Sequence, residues 1–343
     1  MKKVTSKDVA RVAGVSQSLV SLILNQVPDK KIKQETRDHV NKVAAELGYK
    51  VNVNARNMKS SRASSIGLFS EWDTNSFIFP PVISTLKTIC AEKDLSITVC
   101  SGKTNSSNSY DFVDYYLQNR IDGIIYISRV GVKKEGIIET LEKVGLPFVC
   151  ISGARELDDV SSVDVNYEEN GYIAIKTLKE QGYSRVAFIL DNKLQNLNYA
   201  EKERLQGCNR GAEEFGLELK AIENFVGWGK EEASYLNQGE EFLKSGDFDA
   251  VIGVSYKCYI ILKAAARINI KVPQDLGVIS LDNELFAPYV YPSLTTVDEP
   301  LHHITEKAAN ILLDKINGDT NCVKLECSPT VTERESTRRV ENF

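Results

Sequence analysis

"VTSKDVARVAGVSQSLVSLILNQ", residues 4–26, reads as two short helices joined by a tight turn. Thr5 and Asp8 have the spacing of a capping box, with Asp in place of the usual Glu. Val9, Val12 and Ala13 then recur at helical spacing. Gly14 permits the positive φ of a turn. Ser16 suits the N-cap of a second helix whose Val20, Ile23 and Leu24 face inward. A third helix is expected from Gln34 to Leu47, with Val40, Val43, Ala44 and Leu47 on one side and Gly48 at its end. Two short helices with a glycine turn, buttressed by a third, make a helix-turn-helix.

In such a unit the second helix lies in the DNA major groove and reads base edges near its N-terminus. Gln17 and Ser18 occupy that position; glutamine can bond adenine through two hydrogen bonds. Leu22 lies one turn further on the same side, where a leucine gains nothing from water but packs well on a thymine methyl. The alternative is a surface three-helix domain that binds protein. The alternation of polar Gln17, Ser18 and Ser21 with the inward stripe favours DNA. Charge points the same way. Residues 1–60 hold 12 Lys and Arg against 5 Asp and Glu, in a chain whose net charge is −5. A basic head on an acidic body suits a polyanionic partner.

At 343 residues the chain is long enough for two or three domains. No apolar run approaches the length of a membrane span, and Lys2–Asp8 shows no signal-peptide pattern. Seven cysteines, odd in number and without a CxxC pair, suit reduced thiols and a cytoplasmic location.

The opening stretch resembles the DNA-binding head of the LacI/GalR family of bacterial transcription repressors. The resemblance continues through "AAELGYKVNVNARNMKSS", residues 44–61, which is similar to that family's hinge segment. It implies DNA contacts from Thr5, Ser16, Gln17, Ser18, Ser21, Leu22, Asn25, Ala55, Arg56 and Met58. In the family the hinge folds on DNA, pairs across a dimer and wedges an apolar side chain into the minor groove; Met58 takes that place here. Val51 departs from the usual proline, Leu22 from a common arginine and Lys33 from a serine cap.

From Ser65 the rhythm changes. Strands are expected at 66–69, 95–100, 123–128, 147–152, 185–190, 250–255 and 277–282, with helices at 167–181, 201–215, 231–244 and 257–268. Strand then helix, repeated, means parallel sheets covered on both faces. The expected fold is therefore an N-terminal all-α helix-turn-helix head plus an α/β body of two parallel-sheet subdomains. The resemblance implies a periplasmic-binding-protein (type I) architecture for that body. It divides the chain into a head at 1–48, a hinge at 49–62, a first lobe at 63–163 with 296–327, and a second lobe at 164–295 with 328–343.

Ligands of open α/β sheets bind at the C-terminal ends of strands, here the cleft between the lobes. Trp72 and Phe77 are candidates to stack on a sugar ring. The resemblance adds Arg204 and Asp282 as the arginine and aspartate that hold a ligand, and Trp228 as an aromatic neighbour. For Arg204 and Asp282 the other reading is a lobe-stabilising pair. Ser152 and Asp191 stand at strand ends. Tyr256 falls where the family usually has Asn-Asp and this chain has Ser255-Tyr256.

The three histidines and the absence of GxSxG, Walker and GxGxxG stretches argue against an enzyme. Cys322, Cys327, His302 and His303 fit no standard zinc spacing, and no metal or cofactor is expected. A secreted sugar-binding protein would have no DNA head. The expected partners are double-stranded operator DNA, a small-molecule effector and a second copy of the chain. A sugar inducer is the first expectation for the effector; a corepressor such as a purine, or a role in activation, is the alternative.

Overall fold

The computed structural model describes residues 4–24, 32–49, 62–70, 78–102, 109–128, 131–225 and 232–338. Three helices form the head: α1 (Ser6–Ala13), α2 (Gln17–Leu24) and α3 (Gln34–Glu46). Thr5 caps α1 as its spacing predicts: the backbone N–H of Thr5 donates to the Asp8 carboxylate at 2.9 Å, and the Asp8 N–H donates to Thr5 Oγ1 at 3.4 Å. Gly14 ends α1 at φ 66°. The three helices meet over Val9, Ala10, Ala13, Val20, Ile23, Val40, Val43 and Ala44. One expectation fails: Val12 is 52% exposed and Ala10 is buried instead. Residues 9, 10 and 13 share one face of a helix, and Val12 lies to one side of it. Thr5→Ala is expected to lower protection of the α1 amides against hydrogen exchange by about 1 kcal/mol, the usual cost of losing such a cap.

The body holds two six-stranded sheets. The chain first lays down β1 (Ser65–Ser70), β2 (Ser96–Cys100), β3 (Gly123–Ile127), β4 (Phe148–Ile151) and β5 (Ser162–Val165). It then forms β6 (Arg185–Ile189), β7 (Glu218–Ile222), β8 (Ala250–Gly253), β9 (Gly277–Ser280) and β10 (Thr295–Asp298). Two last strands, β11 (Lys324–Cys327) and β12 (Thr330–Thr332), go one to each sheet. The first sheet runs β11-β5-β4-β3-β1-β2 and the second β12-β10-β9-β8-β6-β7. Every pairing is parallel except β10 with β12. The two parallel-sheet lobes are thus those read from the strand–helix rhythm. Strands β5, β7, β10, β11 and β12 were not among those expected. They are short and rich in Ser, Thr, Asp, Glu and Lys; β7, β11 and β12 lie at sheet edges, where one side faces water, whereas in β5 and β10, one strand further in, Ser162, Asp164, Thr295 and Thr296 are buried.

Eight helices cover the sheets among the described residues: α4 (Phe79–Glu92), α5 (Asp111–Leu117), α6 (Glu139–Val144), α7 (Tyr167–Glu180), α8 (Tyr199–Phe215), α9 (Glu232–Lys244), α10 (Ser255–Arg267) and α11 (Leu301–Ile316). None of the described helices is long and apolar enough to cross a membrane. Helix α11 packs with α4 on the first sheet, sharing a core with Ile66, Leu68, Ile125, Val149 and Val163. Helices α7 and α8 approach until their backbones touch. A Cβ built on Gly207 would lie 1.8 Å from the Glu168 carbonyl oxygen, and one on Gly171 would lie 2.1 Å from that of Arg204.

Candidate nucleic-acid interface and ligand cleft

Helix α2 presents Gln17, Ser18 and Leu22 to solvent, with Val20 and Ile23 buried beneath. Ser16 caps it, its Oγ accepting from the Leu19 N–H at 3.2 Å. That geometry fixes which side of α2 faces out. Gln17 Nε2 donates to Ser6 Oγ at 2.9 Å, and the hydroxyls of Ser16 and Ser18 are 3.0 Å apart. The polar groups on this face are therefore already oriented by one another. Ser21 is half-buried beside them. Asn25, Ala55, Arg56 and Met58 lie outside the described residues.

In the body, three adjacent strands of the second sheet bring Asp191, Tyr256 and Asp282 together at their C-terminal ends. Asp191 follows β6, Tyr256 follows β8 and Asp282 follows β9. The Tyr256 hydroxyl donates to Asp191 Oδ1. Lys257 Nζ lies 2.9 Å from the same oxygen and donates to the Ile189 carbonyl. Burial pushes the Tyr256 hydroxyl's pKa up, and the Asp191 charge pushes it further. Burial pulls the Lys257 amine down, against the pull of Asp191. Glu201, the third residue of α8, holds the segment from below: it accepts from the Asp191 N–H at 2.9 Å and from Asn192 Nδ2 at 2.8 Å while closing a capping box with Asn198.

Asp282 is buried, and its Oδ1 gathers three donors. It accepts from the Ser255 N–H at 2.8 Å, from Ser255 Oγ and from Ser280 Oγ at 2.9 Å, and so anchors the start of α10. Arg204 is also buried. Its Nε donates to Asn170 at 3.0 Å, and its Nη2 donates to the Leu281 carbonyl at 2.9 Å and to Glu299 at 2.7 Å. Glu299 follows β10, where the chain leaves the second sheet for α11. Arg204 thus pairs with Glu299, and Asp282 bonds Ser255 and Ser280. Ser152, buried at the end of β4 with φ 62°, accepts from the Tyr167 hydroxyl at 3.3 Å. Trp72, Phe77 and Trp228 lie outside the described residues. Across the joint between the lobes, Arg155 reaches Glu203 of α8 at 3.6 Å, and within its own lobe it reaches Glu326 of β11 at 3.0 Å.

Sequence reading missed Lys257, Glu201, Asn170 and Glu299. Glu201 was findable, since Asn198 and Glu201 have capping-box spacing. Lys257 had no signal beyond its place after a strand, because a lysine is rarely buried without a partner. Among the described residues no group of His, Cys, Asp and Glu is arranged to hold a metal ion. His302 instead bonds Thr85 at 2.7 Å, and Cys322 bonds the Asp158 carbonyl.

Beside Asp282, burial and that neighbour's charge raise the Glu284 carboxyl to about 7. A folded-state pKa above the unfolded value means stability that is present below pH 4.5 and lost as pH rises through about 7. Glu284→Gln should therefore melt closer to wild type at pH 5 than at pH 8, and above it at pH 8. Equal differences at the two pH values would exclude this.

Comparison with known proteins bears directly on both faces. Residues 5–52 match the profile of bacterial regulatory proteins of the lacI family, and residues 175–337 that of a periplasmic binding protein-like domain. The HTH-type transcriptional repressor PurR of Vibrio atlanticus is 28% identical over 340 residues, covering 97% of this chain and 98% of its own. A structure of the Lac repressor dimer bound to operator and the anti-inducer ONPF superposes with a TM-score of 0.81 at 18% identity, covering 98% of this chain and 100% of that one. The regulator CelR in complex with cellobiose gives 0.65 at 23% identity, covering 97% and 100%. The chain thus carries a DNA-binding head of the lacI family in front of a periplasmic binding protein-like domain, and along nearly its whole length it is similar to transcriptional repressors of that family.

Proposed function

We propose that the chain is a cytoplasmic repressor that binds a two-fold operator and releases it when a sugar enters the cleft between the lobes. The observation that carries the effector reading is the row of polar groups at the ends of β6, β8 and β9, where Asp191 stays 37% exposed beside Tyr256. A partly exposed carboxylate beside a tyrosine hydroxyl suits the donors of a polyol, and Trp72, Phe77 and Trp228 are the proposed stacking groups. The cellobiose bound by CelR is in keeping with that. A second reading, a purine corepressor, is favoured by the likeness to PurR along 97% of the chain. Anisotropy of labelled operator DNA separates them. A sugar should weaken operator binding; a purine base that strengthens it would overturn the sugar reading.

The working unit is proposed to be a homodimer, since one recognition helix reads only a few base pairs and symmetry doubles the site. Met58 is the proposed minor-groove wedge and Arg56 its basic neighbour. The loop after β9 supports a protein contact: Leu285, Phe286, Tyr289 and Tyr291 are 62 to 90% exposed together. Four large exposed apolar side chains within seven residues suit an interface. Phe286→Asp combined with Tyr289→Asp should shift the mass in solution from dimer to monomer and weaken operator binding by about tenfold or more. An unchanged dimer would rule this loop out.

A further inference from the structure

A hydrogen bond on the exposed face of the head ties α2 back to α1. Gln17, the first residue of α2, donates from Nε2 to Oγ of Ser6, the first residue of α1, at 2.9 Å. The two stand eleven positions apart in sequence, and the packing of Val9, Ala13 and Val20 beneath brings them together. The neighbouring Ser18 hydroxyl pairs with that of Ser16 at 3.0 Å instead. A primary amide carries two N–H donors on its nitrogen and an oxygen that accepts. Ser6 takes one of those donors. What Gln17 still offers to a base is one N–H and one carbonyl oxygen.

Adenine shows the major groove one acceptor, N7, and one donor, the N6 amino group, whereas guanine shows two acceptors, N7 and O6. An amide with nothing holding it serves either base: it can donate and accept at adenine, or turn both N–H groups on guanine. With one N–H held by Ser6, adenine is still matched in full and guanine is left with an acceptor unmet. An acceptor desolvated without a partner costs more than a made bond contributes. We propose that Ser6 is a positioning residue for base readout, fixing the Gln17 amide so that an A·T pair is preferred over a G·C pair beneath it. The inference rests on reading Gln17 as a base contact, and adds the base it selects and the residue of the other helix that makes the selection. In the reverse orientation the Ser6 hydroxyl would donate to Gln17 Oε1, leaving both N–H groups outward and favouring guanine. The base found there therefore reports which way the amide stands.

The test selects the full chain on a pool of randomised duplex DNA and sequences what is retained, for wild type, Gln17→Ala, Ser6→Ala and Ser6→Thr. The position whose base preference Gln17→Ala erases is the one beneath Gln17. Wild type should hold an A·T pair there. In Ser6→Ala the ratio of A·T to G·C at that position should fall by about three- to tenfold, the usual contribution of one hydrogen bond, with the other positions of the site unchanged. Ser6→Thr keeps the hydroxyl and should restore the ratio. A merely structural role for Ser6 would instead weaken every position alike and lower the melting temperature. A G·C preference in wild type overturns the inference, and so does a loss in Ser6→Ala spread evenly over the site. A preference erased by Gln17→Ala but untouched by Ser6→Ala overturns the inference alone. If Gln17→Ala erases no preference at any position, the reading of Gln17 as a base contact fails, and the inference with it.

Discussion

Arg204→Ala unfolds early: the body is expected to lose about 3–5 kcal/mol of stability, the usual cost of leaving one member of a buried ion pair without the other. The side chains of Arg204 and Glu299 are 4% and 1% exposed, so solvent does not screen the loss. The mutation also strips the Arg204 donor from Asn170 Oδ1 and one of two donors from the Leu281 carbonyl, which keeps only Asn170 Nδ2 at 3.2 Å. Arg204→Lys should recover only part of the loss, since an ammonium cannot reproduce the fork that reaches three partners. Urea unfolding followed by near-UV circular dichroism measures this. A midpoint within the error of wild type would show that the arginine is held for a ligand and not for the lobe.

Gly207→Ala is the second large effect expected. A methyl group there would have to share space with the Glu168 carbonyl at 1.8 Å, so α7 and α8 must separate along their length. Overpacking of a core usually costs about 1–3 kcal/mol. A clash with backbone cannot be relieved by a rotamer change, which puts this substitution at or above the top of that range. Gly171→Ala makes the reciprocal clash with the Arg204 carbonyl and should behave alike. Glu213→Ala, on the exposed side of the same helix, is the control: alanine has the better helix propensity there. Differential scanning calorimetry should show a single lowered transition for the glycine variants and none for the control. A wild-type melting temperature for Gly207→Ala would mean the two helices do not meet backbone to backbone.

The parts of this molecule legible in its sequence are those in which local pattern and tertiary role agree. Thr5, Gly14 and Ser16 announce the head because capping and turn chemistry act within a few residues. The runs at 123–127 and 250–253 read as strands because both faces are buried and every position is apolar. Legibility ends where a residue's partner is far along the chain. Arg204 could be read as gripping a ligand or a neighbour, and its meeting with Glu299, 95 positions away, has no local signal. Lys257 was not singled out, since nothing near it in sequence says that Asp191 stands opposite. Strands such as "KLEC" and "TTVD" were missed for a similar reason: their pairing with a distant strand, not their composition, makes them strands.

The placing of β11 has a consequence for how the protein is made. Lys324 pairs with Ser162, so the first sheet completes its outer edge with residues synthesised long after its other strands. At about 5–20 residues per second, the edge of β5 waits on the order of ten to thirty seconds for its partner. During that interval an unpaired parallel strand faces solvent, a surface on which other chains can assemble. The second sheet waits less, since β12 follows β10 by some thirty residues. A chain cut before Lys324 would leave both edges open at once and should appear in inclusion bodies, while a chain cut after Arg338 should remain in the soluble fraction.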